Sequence, residues 1–140
     1  MSRTSISLRT EPANPTASLG TAPKQYVDAT VRTGLAPVTL TPGTTVATDA
    51  SLGSRFRLTP AQNFTLSNPT NPTDGQMCLW EIIQPASGGP YTITLGSAFA
   101  LGTDITAVTL TTTASKRDFM GAIYNSTAAK WFVIAFVKGY

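Results

Sequence analysis

From Ala36 to the C-terminus, apolar residues recur at every second position in short runs, and the runs are cut by Gly, Pro, Asn and Asp. Period two is the spacing of a strand with one face in a core, and frequent turn residues keep such strands short. "PVTLT" (37–41) and "TTVATDA" (44–50) are separated by Pro42-Gly43, and each reads as a short strand. "RFRLT" (55–59) places Phe56 and Leu58 on one face and Arg55, Arg57 and Thr59 on the other. "NFTLSN" (63–68) repeats the pattern with Phe64 and Leu66, and "NPTNPTDG" (68–75) is a long turn closed by Asp74-Gly75. "YTITLG" (91–96) and "AVTLTTT" (107–113) alternate again.

Two runs depart from alternation by being apolar on both faces. "QMCLWEIIQ" (76–84) has the composition of a central strand covered on two sides. "WFVIAFVKG" (131–139) follows "DFMGAIYN" (118–125) after the hairpin-length connection "STAAK" (126–130). It carries Trp131, Val133, Ala135 and Val137 on one face and Phe132, Ile134 and Phe136 on the other. Such a strand belongs in the middle of a sheet or at a subunit interface, because an exposed apolar edge invites aggregation. Eight or nine short strands with turns every eight to twelve residues predict an all-β fold. The expectation is a single antiparallel β-sandwich or jelly-roll-like domain over 35–140.

The N-terminal quarter differs. Residues 1–22 are poor in large apolar residues and contain Pro12, Pro15 and Gly20, which predicts an extended arm. "PKQYVDATVRTG" (23–34) suits one short helix: Pro23 fits a first turn, Val27 and Val31 are four apart, and Gly34 is a C-terminal stop. A helix this short is not stable alone in water, so it must pack on something. It reads as a joint between arm and β-domain.

Composition removes most enzyme chemistry. The 140 residues include no histidine and one cysteine, so the commonest general base and the usual zinc ligands are missing. Cys78 lies in an apolar run and reads as a small buried hydrophobe. No two of the seven acids lie within three residues of each other, which leaves no local calcium loop, and Asp49, Asp74 and Asp104 read as turn residues. Phosphate-cradling Gly patterns and a nucleophile elbow are also missing. Neither an enzyme nor a cofactor is expected. The net charge of +3 comes from ten scattered basic residues, not a basic stripe, so no nucleic-acid partner is expected. The opening residues lack an apolar core of the signal-peptide kind and no apolar run spans a bilayer, so a soluble product of a reducing cytoplasm is expected, with no membrane partner. The sequons at Asn63 and Asn125 read as chance, and Trp80, Trp131 and Tyr124 read as core aromatics before glycan-stacking platforms.

Against that background, "NPTASLGTAPKQYVDA" (14–29) resembles an element of tailed-bacteriophage virion proteins, in which a Pro-containing turn leads into Ala-x-Lys-Gln-Tyr-Val-Asp. The stretch from "TLSNPTNPTDGQ" through "AFALGTD" to "IYNSTAAKWFVIAFVKGY" is similar to the β-module of tail-fibre, minor-tail and head-decoration proteins in phages of actinobacteria. The resemblance implies a non-enzymatic structural protein of the virion surface, made in the bacterial host cytoplasm and often a homotrimer. Arg3, Arg9, Lys24, Gln25, Tyr26, Val27, Asp28 and Val31 would carry attachment or trimer contacts. The long shaft that follows this element in fibre proteins is missing: there is no Gly-X-Y run and no heptad. A head-decoration or capsid-fibre protein, bound to the major capsid protein or another virion protein, is therefore expected first. The alternatives are a short tail fibre or receptor-binding minor tail protein, with a host-surface glycan as possible ligand, and a carbohydrate-binding or adhesion module.

Overall fold

The computed structural model describes residues 35–140. The expected arm, the expected helix over 23–34 and all eight proposed attachment residues lie outside the described residues. Within them the chain is strand-dominated, with nine strands and one 3-10 turn. The strands are β1 (Val38–Thr39), β2 (Thr45–Val46), β3 (Arg55–Leu58), β4 (Phe64–Leu66), β5 (Met77–Ile83), β6 (Ile93–Leu95), β7 (Phe99–Ala100), β8 (Arg117–Asn125) and β9 (Lys130–Lys138). A six-stranded sheet has the order β1-β3-β5-β8-β9-β7, and a three-stranded sheet the order β2-β4-β6.

The expected purely antiparallel arrangement is not what forms. β1, β3 and β5 are mutually parallel neighbours, and so are β2, β4 and β6. The cause lies in the connections. Up to β6 the chain alternates between the sheets, so each return to a sheet follows one crossing out and one crossing back. It arrives running in the original direction. Antiparallel pairing needs a reversal within one sheet. That occurs only where β8 pairs with β5 and where the β8–β9 hairpin closes. β7 joins the far edge parallel to β9 through Phe99↔Trp131 and Ala100↔Phe132.

The two sheets share one core. Phe56, Leu58, Trp80, Ile82, Met120, Ala122, Trp131 and Val133 of the larger sheet form a single cluster with Val46, Phe64 and Leu66 of the smaller. Trp80 is its hub. Its ring stacks on Phe56 at 5.8 Å and meets Phe99 and Trp131 edge-on at 5.6 and 5.7 Å. Its indole N–H donates to Thr48 Oγ1 at 3.1 Å, which ties the hub to the segment following β2. The alternation of "RFRLT" and "NFTLSN" is as expected, with Phe56, Leu58, Phe64 and Leu66 buried.

Two strand assignments differ from expectation. "AVTLTTT" is not a strand, although Leu110 is buried and Val108 packs on the core. Its backbone is held from the side, where the Thr111 N–H donates to the buried carboxylate of Asp118 at 2.6 Å. Phe99–Ala100 is a strand too short to show a period. The second run, "TTVATDA", forms a strand only at Thr45–Val46 and a single further bridge, Asp49 to Thr70, where Asp49 caps the turn Ala50–Leu52 by accepting the Ser51 N–H. At the end of β5 the Gln84 backbone still exchanges bonds with Lys116 and Ser115, while its side-chain amide donates to the Tyr91 and Thr111 carbonyls and its oxygen accepts the Tyr91 N–H.

Candidate interaction surface

The side chains of the larger sheet that point away from the core form ordered rows across β3, β5, β8 and β9. One row is Met77, Ile123 and Phe132; the next is Arg55, Leu79, Gly121 and Ala135; the third is Arg57, Glu81, Phe119 and Val137. The first two are almost wholly apolar. Met77, Leu79, Phe132, Ile134 and Val137 are 58, 38, 41, 52 and 47% exposed. For β5 this corrects the expectation of cover on both faces. The strand is central, but Cys78, Trp80 and Ile82 are buried while Met77 and Leu79 face out.

β9 shows why two-faced apolarity arises there. The register slips between Gly121↔Ala135 and Ala122↔Val133, so Ile134 is an extra residue. A bulge of this kind reverses the phase of everything beyond it. Trp131 and Val133 point inward before it and the partly buried Phe136 after it, leaving Phe132, Ile134, Ala135 and Val137 outside. Strict alternation, which groups Ala135 and Val137 with Trp131, fails at this bulge. Nor is β9 central: β8 flanks its whole length, but β7 covers only Trp131 and Phe132.

The third row carries the charge. Glu81 receives the Arg57 Nε–H at 2.6 Å on one carboxylate oxygen and pairs with Arg117 Nε at 3.0 Å on the other. The Glu81 side chain is 12% exposed, against 46% and 50% for its two arginine partners. The single acid of this face is thus satisfied internally, and the guanidinium groups stand at its margin. A shallow depression of about 290 Å³ lies beside them, lined by Pro37, Arg55, Arg57, Leu79, Glu81 and Phe119.

Asp49, Asp74, Asp118 and Cys78 serve the fold. Hydrogen bonds from Ser51 and Asn71 hold the Asp49 carboxyl below its ordinary range, and bonds from Ser126 do the same for Asp74. Asp118 is buried and accepts the N–H groups of Thr111 and Gly139. Burial pushes the Cys78 thiol up to about 11, which makes it unreactive near neutral pH. Among the described residues no cluster of three His, Cys, Asp or Glu side chains is placed to hold a metal. Trp80 and Trp131 are buried and Tyr124 packs against the core, so none is presented as a glycan platform. Asn63 accepts the Thr92 N–H and Asn125 the Ala128 N–H.

Sequence reading placed the functional residues in the arm and joint, and none of those is among the described residues. It did not single out this outer face. The signal was present in the two runs that are apolar on both faces, of which only one was read as a possible interface. Comparison with protein-family models, with curated proteins and with solved structures gave no match.

Proposed function

We propose that this chain is a non-enzymatic structural protein of a phage virion, most simply a head-decoration or capsid-fibre protein. In this reading residues 1–34 attach it to the major capsid protein or another virion protein. The β-domain, its two sheets forming a sandwich-like knob, projects into solvent as part of a homotrimer. One observation carries the proposal: the element Lys24-Gln25-Tyr26-Val27-Asp28 preceding a single β-module with no shaft between. The use of Asp49, Asp74, Glu81 and Asp118 as structural acceptors supports a role without catalysis. The mechanism is binding energy. Each bound copy stabilises the shell by mass action, and several arms on one oligomer act with avidity.

The test is the position of the protein on intact particles by cryo-electron microscopy, together with a phage encoding a chain without residues 1–34. Density on the capsid, and loss of incorporation with the deletion, are expected. Density confined to the tail replaces decoration by the tail-fibre reading, and absence from the particle removes both.

A further inference from the structure

We infer that the outer face of the six-stranded sheet, centred on Leu79, Gly121 and Ile134, is the surface through which copies of this chain meet. The inference rests on the self-association in the reading above, and not on where in a virion the protein sits. Taking roughly 150–200 Å² for a fully exposed large side chain, the five exposed apolar residues present on the order of 400 Å². Phe119, Ile123, Ala135 and the arginine stems enlarge this toward the roughly 800 Å² per partner of a specific interface.

Three features point to a second copy as the occupant. First, low ground and a knob lie side by side. Gly121 is the floor of the face, although a Cβ there would meet only Ala135 Cβ at 3.7 Å and Leu79 Cδ1 at 3.9 Å, ordinary contact distances. The fold itself therefore leaves room for alanine, and a glycine in a strand interior is often where another chain comes close. Ile134, the bulged residue next to Ala135, stands out as the knob. A face holding both can meet its own copy, the knob of each packing over the low ground beside the glycine of the other. Second, the one acid of the face is already satisfied within the subunit. Because Glu81 already holds Arg57 and Arg117, an identical face can cover it without stranding a buried acid. Third, the edge of β9 is unsuited to the same task. A twofold through Ile134 would bring Lys130 opposite Lys138 of the second copy, and like charges directly opposite are destabilising.

The experiment is light scattering on the full-length protein at micromolar concentration, with Ile134→Glu, Leu79→Arg in the neighbouring strand, and Leu52→Glu as a control on an exposed residue away from the face. The wild type and the control are expected to be oligomers of the same mass. Ile134→Glu and Leu79→Arg should each weaken association roughly a hundredfold while keeping the wild-type circular dichroism spectrum. Leu79→Arg decides the matter if Ile134→Glu fails to fold, since Leu79 lies outside the bulge. A monomeric wild type overturns both this inference and the self-association beneath it. An oligomeric wild type whose folded Leu79→Arg variant keeps the same mass and affinity overturns this inference alone.

Discussion

Gln84 offers the sharpest test of how the two sheets are tied. Its side chain is buried, and it joins the end of β5 to the approach to β6 and to the segment before β8. Gln84→Leu keeps the volume and strips the partners from three backbone groups: the Tyr91 N–H, the Tyr91 carbonyl and the Thr111 carbonyl. Each of these part-buried groups left without a partner costs about 1–2 kcal/mol, while the added apolar burial returns about 1–2 kcal/mol. A net loss of about 3 kcal/mol is expected, which for a domain of this size lowers Tm by about 15 °C. Gln84→Glu separates hydrogen bonding from packing. Its second oxygen would face two carbonyls where the amide donated, so the folded state holds that carboxyl protonated and raises its pKa. Below the ordinary glutamate range, about 4.3, folded and unfolded states both carry the proton, and the deficit is smallest there: the carboxyl O–H serves one of the two carbonyls and only the other lacks a donor. As pH rises through that range only the unfolded state loses its proton, and stability falls by about 1.4 kcal/mol per pH unit until the folded carboxyl ionises. Urea unfolding of both variants from pH 3.5 to 7, each against wild type at the same pH, measures this. A Gln84→Leu loss under about 0.5 kcal/mol, or a Gln84→Glu deficit that does not grow with pH, refutes the reasoning.

Other outcomes follow from single sites. Gly96→Ala should lose about 1–3 kcal/mol by urea unfolding, because a Cβ there would lie 2.8 Å from the Asn68 nitrogen and 3.1 Å from the Leu66 oxygen. Gly121→Ala, with room for its methyl, should change the stability of the β-domain by no more than about 0.5 kcal/mol. Cys78 should react with a thiol reagent at pH 8 only as fast as the domain opens, so labelling should accelerate in urea; fast labelling in native buffer contradicts its burial. Asp49 and Asp74, both held below their ordinary value of 3.8, contribute stability that is present above that value and lost as pH falls through their folded values. Asn at either site should therefore flatten the acid limb of the Tm–pH curve, and an unchanged limb counts against these caps.

How much of this was legible in the sequence depends on the range of the force that fixes each feature. Phe56, Leu58, Phe64 and Leu66 were readable because burial in a strand repeats every second residue, and local pattern suffices. The β8–β9 hairpin was readable because a short polar connection between apolar runs leaves the chain little else to do. The direction of pairing was not. Whether the chain after "TTVATDA" turns back or crosses to another sheet depends on partners up to thirty residues away, such as Phe64 and Ile93. "AVTLTTT" was misread for the same reason. Val108 and Leu110 carry a strand's alternation, but a buried carboxylate at Asp118 takes the Thr111 N–H that a ladder would have used. The attachment residues from Arg3 to Val31 stand on resemblance alone.

The bulge at Ile134 connects these levels. An uninterrupted alternation would send Trp131, Val133, Ala135 and Val137 inward and leave Phe136 outside. The extra residue instead lets Trp131 and the partly buried Phe136 both pack on the core, and it moves Val137 out beside Phe119. One inserted residue thus makes a strand that is apolar on both faces fill the core and furnish an outer surface at once. Deleting Ile134 removes the extra residue, so plain alternation over the shortened strand keeps Trp131, Val133 and Phe136 inward and Ala135 and Val137 outside. The expected result is a folded domain with the same core that lacks the knob. A fall in Tm of more than about 10 °C contradicts the account of the core, and an unchanged oligomer mass and affinity contradicts the role given to the knob.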